Sequence, residues 1–600
     1  GRLMARVLAA AACLLPLQLT SSELSPIHLE ERSGRAHAFV DAEGREVIFH
    51  GTNAVVKGPP WHPDHAQFSP DISMAKEDFQ LMQRLGLNFL RLGVMWPGTE
   101  PVRGQYNETY LRLMRDLSAE AATYGIYTIA EMHQDSLSER FCGEGVPAWA
   151  AQPDPAAAAF PHPLPYPAFR PDPSSPDGFP SRGECGLLPW PLAGKTSALR
   201  SAAARLYENY DNLTDAWGAY WRKIAETWGT TPELLGFELM NEPNALDSDI
   251  NKGDRENLQP AYDVLAGYIR KAVPDGLVFF AGQPGDRTGD PAKDRRPQGF
   301  THAPGGADAA NRSVLAFHFY QGQNTGNASG YLATRLRDAR ELGVGLFMTE
   351  SCCSDLVTRL APEAEEAGIS WAHWEWKDFC KESEESKASS SQFAAWGSCK
   401  TGYGGGPFPS PQTGNSTVLG LRDLARTFAP AVAGSFTRQA FDAASGSYSL
   451  AFDLNPSIAA PTWVSASALV YTEGFKATVS PPGVLVPRAV KGGLELHATP
   501  SARFGQSVSV QITSKAWWKC ANEWSFNNDC GCHGQVRFGR GDRWTTPKQM
   551  DGSVRCDTKH FEDPAPGALK ECQCRGRPSA VLPSGSGIVV PPPAETPIVV

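Results

Sequence analysis

The sequence predicts an α/β fold, a (β/α)8 TIM barrel followed by a small β-sandwich and a Cys-rich C-terminal unit. Three observations support it. Between residues 36 and 428, eight short apolar runs alternate with stretches of helical periodicity. From 429 to 515, short strands separated by Gly, Pro and Ser are typical of a β-sandwich. Six cysteines and several tryptophans then fall within 516–576.

The N-terminal residues 1–22 are typical of a secretory signal peptide. Arg6 precedes an apolar run that ends near Leu19, and this run is too short to span a membrane with such flanks. An uncleaved membrane anchor is the alternative. An even number of cysteines beyond the leader supports export, and Asn-X-Ser/Thr sequons are candidate glycan sites. We therefore expect a secreted or secretory-lumen protein, peripheral to membranes. The sequons lie at Asn107, Asn212, Asn311, Asn327 and Asn415.

The eight apolar runs lack clean alternation, as expected for parallel strands that are buried on both faces. They are EVIFHGTNAV (46–55), LNFLRLGV (87–94), IYTIAEMH (126–133), LLGFELMNEP (234–243), GLVFFAG (276–282), SVLAFHFY (313–320), VGLFMTE (344–350) and ISWAHWEW (369–376). Helices are predicted between them, because apolar residues recur there at helical spacing. In MAKEDFQLMQRLG (74–86), for example, Phe79, Met82 and Leu85 share one side, and Gly86 is predicted to end the helix.

Residues 142–200 interrupt this alternation. The segment is too rich in Pro for a long helix, and it follows the third strand, so we expect a lid or wall over the barrel mouth. Cys142 and Cys185 are candidates to tie it down, and a disordered insertion is the alternative.

The Cys-rich unit at 516–576 permits two interpretations. A Cys-X-Cys with a nearby His could bind zinc, but six local cysteines in an exported chain favour three disulfides. Trp517, Trp518 and Trp524 are candidates to contact sugars or lipid. Residues 577–600 are rich in Pro and Gly, and we expect them to be a disordered tail.

Two glutamates end strands that face each other across the predicted barrel. Glu242 follows the fourth strand and Glu350 ends the seventh, at the end where such barrels carry their chemistry. Retaining glycosidases use one carboxylic acid to protonate the leaving oxygen and a carboxylate nucleophile roughly 5 Å away. Glu242 and Glu350 are therefore the predicted catalytic residues. We expect Glu242 to hold its proton near neutral pH, because partial burial beside a carboxylate disfavours its charged form.

Other polar and aromatic residues end the neighbouring strands. Asn241 can bind the sugar 2-hydroxyl, Tyr320 can hold Glu350 ionised, and Arg91 supplies a fixed positive charge. Trp374 could form a flat apolar floor under a sugar ring. The remaining polar residues at these strand ends include His133, Asp135 and His318.

With these residues in place, the barrel resembles glycoside hydrolase family 5 of clan A. The matching positions are Arg91, His133, Asn241 with Glu242, His318 with Tyr320, Glu350 and Trp374. Within the family, the stretches GTNAVVKGPPWHP (51–63), EMHQDSLSERFCGEGVPAWA (131–150) and GFELMNEPNA (236–245) are similar to the endoglycoceramidases, over roughly residues 36–515.

The resemblance implies roles for these residues. Glu242 would be the acid/base and Glu350 the nucleophile, while Lys57, His133, Asp135 and Asn241 would bind the sugar next to the cleaved bond. The implied reaction releases an intact oligosaccharide from ceramide, with no cofactor and no metal.

Two stretches depart from the family pattern. The nucleophile is followed by TESCCS (349–354), and HWEWKDF (373–379) adds Glu375 and Trp376 near the site. A lipid substrate would also need an apolar lane, for which loop packing is the alternative explanation. The candidates for the lane are Trp61, Trp149, Trp190, Phe160, Phe169 and Phe179.

The expected partner is a glycosphingolipid at a membrane or micelle surface. We expect a monomer and leave open an activator protein or detergent-like lipid. A formal charge of −10 argues against a nucleic-acid binder. The alternatives are a β-glucosidase acting on glucosylceramide or sterol glucosides, a family 5 β-glucanase, and a non-enzymatic surface lectin that binds carbohydrate or lipid.

Overall fold

The computed structural model describes residues 24–158, 172–174, 178–187, 194–247, 249–284, 299–320, 328–352, 356–379, 407–408, 420–578 and 586–590. The expected signal peptide lies outside these residues. Within the described ranges, every helix is too short or too polar to cross a membrane.

Eight parallel strands close into a barrel, which confirms the predicted (β/α)8 fold. With strands numbered in chain order from β1, the barrel strands are β4 (His50–Ala54), β5 (Phe89–Gly93), β6 (Tyr127–Glu131), β7 (Leu234–Glu238), β8 (Val278–Phe280), β9 (Ser313–Phe319), β10 (Gly345–Ser351) and β11 (Ser370–His373). Around the circumference their order is β10-β11-β4-β5-β6-β7-β8-β9.

Helices follow the strands as the apolar periodicity predicts. Gly86 ends the first long helix with a left-handed φ of 84° and donates its amide to the carbonyls of Gln83 and Met82. The longer helices are Lys76–Leu85, Glu108–Ala122, Ser197–Tyr207, Leu213–Trp228, Gln259–Ala272, Ala328–Leu342 and Ala361–Ala367. Short helices are Trp96–Thr99, Pro155–Ala158, Arg182–Cys185, Ile250–Gly253 and Leu421–Leu424, with 3-10 turns at Glu139–Phe141, Tyr210–Asn212 and Ala307–Arg312 and π turns at Asp254–Leu258 and Leu356–Leu360.

An aromatic cluster fills the end of the barrel where the strands begin. Phe347 lies 4.6 Å from Phe89 and 6.1 Å from Phe49 between ring centroids, and Phe39, Tyr127 and Phe279 belong to the same cluster. Because this end is packed with apolar rings, the polar side chains gather at the opposite end, where the strands finish.

The β-sandwich is built from strands that precede the barrel in the sequence and strands that follow it. One sheet has the order β1-β2-β3-β12-β15-β18-β17 and the other β13-β14-β19-β16-β25. The first predicted strand, EVIFHGTNAV, is therefore split: β3 pairs with β12 of the sandwich, and only β4 belongs to the barrel. The sandwich strands are β1 (Ile27–Glu30), β2 (Ala38–Asp41), β3 (Glu46–Val47), β12 (Phe428–Val432), β13 (Gly434–Asp442), β14 (Ser447–Leu454), β15 (Thr462–Ser465), β16 (Phe475–Ser480), β17 (Leu485–Val490), β18 (Gly493–Ala498), β19 (Gln506–Ser514) and β25 (Ser586–Val590).

Strand β25 corrects the expectation of a wholly disordered tail over 577–600. Its sequence SGIVV ends in three β-branched residues, and it pairs antiparallel with β16 from Phe475↔Val590 to Val479↔Ser586. An unpaired edge of β16 gives this short segment its partner, which composition alone does not reveal.

The Cys-rich unit is a small antiparallel sheet held by three disulfides. They join Cys520 to Cys530, Cys532 to Cys574 and Cys556 to Cys572, so all six cysteines of the unit are paired. This confirms the three-disulfide prediction over the zinc alternative. The strands are β20 (Trp518–Asn522), β21 (Asp529–Arg540), β22 (Arg543–Trp544), β23 (Lys548–Arg555) and β24 (Glu571–Arg577).

The expected Cys142–Cys185 disulfide forms, and it joins the first residue of the 142–200 insertion to a residue near its C-terminal end. Two aromatic candidates for a lipid lane pack into loops instead. Trp61 is 8% exposed and its carbonyl accepts from the Tyr110 hydroxyl, and the Trp149 ring meets Trp96 edge to face at 5.5 Å. Phe179 is half-buried. Phe160, Phe169 and Trp190 lie outside the described residues.

Candidate active site

One network of contacts joins all ten predicted site residues at the C-terminal ends of the barrel strands. Arg91, His318 and Glu350 lie in β5, β9 and β10, and the others lie in the loops that follow β4, β6, β7, β9 and β11. These loop residues are Lys57, His133, Asp135, Asn241, Glu242, Tyr320 and Trp374. The strands thus carry distant parts of the sequence to one edge of the barrel.

Glu350 is a buried carboxylate surrounded by donors. Its Oε1 is 2.5 Å from Arg91 Nη1, and its Oε2 accepts a 2.7 Å hydrogen bond from the Tyr320 hydroxyl. Burial by itself would raise the pKa of Glu350, but the positive charges of His318 and Arg91, with other donors, lower it below its ordinary value. Glu350 is therefore held as an anion.

Glu242 faces Glu350 from the loop after β7. Its side chain is 23% exposed, and its Oε1 lies 2.9 Å from His318 Nδ1. Carboxylate oxygens of the two glutamates and the His318 nitrogen all lie within 4.8 Å of one another. Carboxyl groups about 5 Å apart are typical of retaining glycosidases, whereas inverting enzymes need 6.5 to 9.5 Å to admit a water.

The Glu242 backbone is itself constrained, with a φ of +33° that side-chain-bearing residues rarely adopt. Gln134 holds this turn, because its Nε2 donates at 2.7 Å to the carbonyls of both Asn241 and Glu242. Sequence reasoning missed Gln134 as a positioning residue. A polar side chain between two predicted site residues, His133 and Asp135, was the available signal.

Arg91 is fully buried and connects most of the site. Besides Glu350, it contacts Glu238 Oε2 at 2.5 Å and Glu131 Oε1 at 3.1 Å, and its Nη2 donates to Asn241 Oδ1 at 3.0 Å. These carboxylates outweigh the burial that would lower the pKa of Arg91, and they raise it. The guanidinium stays charged and fixes both the Glu350 carboxylate and the Asn241 amide.

Glu131 and Glu238 were not among the predicted site residues. Both are fully buried within apolar strands, β6 and β7. A carboxylate in such a run has to be paired, because burying an unpaired charge is very costly. That rule predicts from the sequence that both residues have a buried partner, and the structure identifies this partner as Arg91.

A second cluster lies beside the first. Lys57 Nζ is 2.5 Å from Asp135 Oδ2, and His133 lies between Asp135 at 3.4 Å and Glu131 at 3.2 Å. Burial would lower the pKa of His133, but the charge of Glu131 and its other acceptors raise it to about 10. Lys57 in turn lowers the pKa of Asp135 against the effect of burial.

Glu144 also belongs to this cluster and was not predicted. It is fully buried, and it exchanges backbone hydrogen bonds with Asp135. Burial and the Asp135 charge raise the pKa of Glu144 well above its ordinary value. Of the two carboxyl groups, Asp135 is therefore the one whose charged form Lys57 stabilises, and Glu144 the one whose charged form burial and its neighbour disfavour.

Among the residues that the structure describes, two sets of three side chains offer metal-ligand atoms within 4.8 Å of one another: His133, Asp135 and Glu144, and Glu242, His318 and Glu350. In the first set Lys57 already supplies the positive charge. In the second, a histidine with a raised pKa lies between two carboxylates, and both carboxylates contribute to that shift against the effect of burial.

The aromatic residues after β11 differ from expectation. Trp374 is only 4% exposed, because His133 stacks on it at 5.1 Å and Lys57 lies 4.7 Å from the ring centroid. It therefore offers a sugar little flat surface. Trp376 is fully buried and donates to Asp78, away from the site, whereas the charge of Glu375 acts on Lys57.

The chain matches known family models, curated relatives and solved structures. Residues 40–379 match the family model described as cellulase (glycosyl hydrolase family 5), and residues 426–512 match the glycoside hydrolase family 5 C-terminal domain. An endoglycoceramidase from Cyanea nozakii is 31% identical over 523 residues, covering 84% of this chain and 96% of that protein. An endoglycoceramidase from Hydra vulgaris is 39% identical over 318 residues, covering 52% and 59%.

A solved structure shares the fold. Endo-glycoceramidase II from Rhodococcus sp. aligns with a TM-score of 0.59 at 20% identity, over 80% of this chain and 99% of that one, both as a lactosyl-enzyme intermediate and as a ganglioside GM3 complex. The matched family models end at residue 512, before the Cys-rich unit. The chain belongs to glycoside hydrolase family 5, and it is an endoglycoceramidase-like glycoside hydrolase.

Proposed function

We propose that the protein hydrolyses the bond between the oligosaccharide and the ceramide of glycosphingolipids, with retention of configuration. The observation that carries the proposal is the pair Glu242 and Glu350, whose carboxylate oxygens lie within 4.8 Å of each other across the barrel mouth. The relatives named endoglycoceramidase support the substrate class.

In the first step, the Glu350 carboxylate attacks the anomeric carbon and forms a glycosyl ester. The bond to the ceramide oxygen breaks, and that oxygen takes the proton of Glu242, so ceramide leaves as a neutral alcohol. Arg91 and Tyr320 keep Glu350 ionised for the attack.

In the second step, Glu242 acts as a base. It removes a proton from water, the water oxygen attacks the anomeric carbon, and the ester breaks to return Glu350 as a carboxylate. His318 contacts both carboxylates, at 2.9 and 3.4 Å, so its positive charge remains next to whichever is ionised.

The second cluster is suited to hold the sugar next to the cleaved bond. Lys57, His133 and Asp135 are already ordered by one another, so little conformational entropy is lost when they bind hydroxyl groups. Asn241 accepts from Arg91 and donates one Nδ2 hydrogen to the Gln134 carbonyl. Its Nδ2 also lies 3.5 Å from His133 Nε2, a long contact that a sugar 2-hydroxyl would replace.

The test uses purified protein with five substrates: glucosylceramide, lactosylceramide, a ganglioside, a sterol glucoside and a soluble β-glucan, with products identified by mass. We expect intact oligosaccharide plus ceramide. Cleavage of glucosylceramide or the sterol glucoside alone would place the protein with the β-glucosidases, and cleavage of the glucan alone with the glucanases. Inactivity on all five would favour the lectin hypothesis or an activator requirement.

The roles of the two glutamates are tested separately. A 2-deoxy-2-fluoro glycoside should leave a covalent sugar on the peptide that contains Glu350, detected by mass. Glu350→Gln should abolish the label, and Glu242→Gln should slow hydrolysis of substrates with poor leaving groups far more than of activated ones. Glu208→Gln, an exposed glutamate, is the matched control. Full lipid hydrolysis by Glu242→Gln would contradict the assignment.

We also propose that the protein is exported and acts as a monomer peripheral to membranes. Four disulfides among the described residues favour an oxidising compartment. The sequon residues Asn107, Asn212 and Asn311 are exposed, while Asn327 and Asn415 lie outside the described residues. Recovery of glycosylated, monomeric protein from the medium of expressing eukaryotic cells would support this, and retention in the cytosol would contradict it.

A further inference from the structure

Three large apolar side chains are exposed at one end of the Cys-rich unit. Trp524 is 80% exposed, Phe526 112% and Leu569 60%. Strand β20 ends at Asn522, opposite Glu571 where β24 begins, so the loops that carry these residues are neighbours. The loop amide of Glu523 donates to the Lys570 carbonyl at 3.0 Å, which holds the two loops together. We call these three residues the apolar tip.

The apolar tip carries no uncompensated charge on its own loop. Between Asn522 and Asn528 the only charged side chain is Glu523, which is turned inward and 11% exposed. Its Oε2 lies 3.3 Å from Lys570 Nζ and accepts from the Lys570 amide at 3.1 Å. Because the carboxylate is neutralised below the surface, moving the 522–528 loop out of water does not require its own ion to be desolvated. Beside the second loop, the exposed Arg540 donates to the Leu569 carbonyl at 3.2 Å. Its long side chain can keep the charged group in water while the apolar rings insert.

The loop is also rigid. The Cys520–Cys530 disulfide closes it at the base, and the Cys556 amide donates to the Asn528 carbonyl at 2.8 Å. The exposed aromatic rings are therefore presented on a fixed support, so little conformational entropy is lost when they bind. By contrast Trp517 and Trp518 are half-buried: two arginines lie over the Trp517 ring, and Trp518 donates to the Gly576 carbonyl.

We propose that the apolar tip inserts into the interfacial layer of a lipid bilayer or micelle and holds the enzyme at the surface that carries its substrate. Trp with Phe and Leu is the side-chain set that partitions to this layer, where the indole can keep a hydrogen bond to water or headgroups. A lipid aggregate is the occupant best matched to the proposed function, since ceramide glycosides reside in one. The inference rests on the proposed function only in naming a lipid surface as what the apolar tip binds.

The first test is flotation of the full chain with neutral phosphatidylcholine vesicles, at low and high salt. Binding should survive high salt, because apolar contacts rather than charges carry it. The double variant Trp524→Ser/Phe526→Ser should lower the partition coefficient by about tenfold or more. Phe504→Ser, at an aromatic residue that is 80% exposed in the turn before β19, is the matched control and should bind like the wild type.

The second test separates surface binding from catalysis. The double variant should hydrolyse glycolipid in vesicles at least several-fold more slowly than the wild type at low lipid, and a soluble fluorogenic glycoside at the same rate. If the wild type cleaves no glycolipid, the proposed function fails, and flotation still decides the role of the tip.

Three results would overturn the inference. The wild type could fail to float, or the double variant could float equally well. Alternatively, the wild type could form a dimer that the double variant cannot form, which would show that the tip binds a second copy of the chain.

Discussion

Removing one hydroxyl group tests how Glu350 is kept ionised. Tyr320→Phe deletes the 2.7 Å hydrogen bond to Glu350 Oε2, while Arg91 remains on Oε1. A hydrogen bond to a charged group is worth about 1.5–3 kcal/mol, and Glu350 is only 4% exposed, so water does not replace the lost donor. The pKa of Glu350 should therefore rise toward its ordinary value, because burial, which raises it, is then opposed by fewer groups.

The acid limb of the pH profile of kcat/KM should therefore move to higher pH in Tyr320→Phe. At pH values below the pKa of Glu350, the ionised fraction of Glu350 should be roughly 10- to 150-fold lower than in the wild type, which is the same free energy expressed as a ratio. Above it, Glu350 ionises in both proteins and the loss should be much smaller. The assay is hydrolysis of a soluble fluorogenic glycoside from acid to neutral pH, with circular dichroism to confirm folding.

Tyr210→Phe, at a tyrosine that is 50% exposed, is the control and should leave the profile unchanged. An unmoved acid limb in Tyr320→Phe would refute the reasoning. A loss of equal size at every pH would also refute it, because the hydroxyl would then act on the substrate rather than on the ionisation of Glu350.

Three further predictions concern the second cluster and the insertion. Glu144→Gln keeps a hydrogen-bond donor beside Asp135, so its kcat/KM should stay within a few-fold of the wild type. Glu144→Ala removes the donor and should lose about 1–3 kcal/mol of transition-state stabilisation, measured as the fall in kcat/KM. Equal effects of the two variants would contradict a donor role for Glu144. Because the folded-state pKa of His133 is raised from 6.5 to about 10, its stabilising contribution is complete below pH 6.5 and is lost as pH rises toward 10, by at most about 1.4 kcal/mol per pH unit. The free energy of unfolding in urea is measured for the wild type and for His133→Gln at several pH values. A difference between the two proteins that does not change with pH would contradict this contribution of His133. Cys142 and Cys185 are separated by 43 residues, and replacing both with Ser removes the disulfide that joins them. The free energy of unfolding should fall by up to about 4 kcal/mol, and proteolysis between these positions should become faster. Unchanged stability and cleavage would be evidence against a stabilising role of the disulfide.

Local patterns were sufficient for the barrel and for most of its helices. Parallel strands buried on both faces produce continuous apolar runs, and helices produce their own periodicity, so each element can be recognised from a few neighbouring residues. Polar residues at the strand ends could then be assigned to one edge, because a closed barrel places all these ends together. For this reason Glu242 and Glu350 could be identified from the sequence as facing each other.

Contacts between distant segments could not be obtained in this way. The pairing of β3 with β12 and of β25 with β16 depends on which sheet edges are left open once the barrel has closed. Whether Trp374 presents its face or is covered depends on how His133 and Lys57 pack against it.

The barrel, the family, the glutamate pair and the disulfide-rich character of the C-terminal unit could all be predicted from the sequence, because each depends on local spacing or on residue type. How charges are balanced became known only from the folded arrangement. Three features depend on burial and on neighbours that are distant in sequence: the opposite pKa shifts of Glu144 and Asp135, the carboxylates around Arg91 and the inward turn of Glu523 below the apolar tip. The physical reason is that electrostatic energies depend on distance and solvent exposure, neither of which a sequence pattern records.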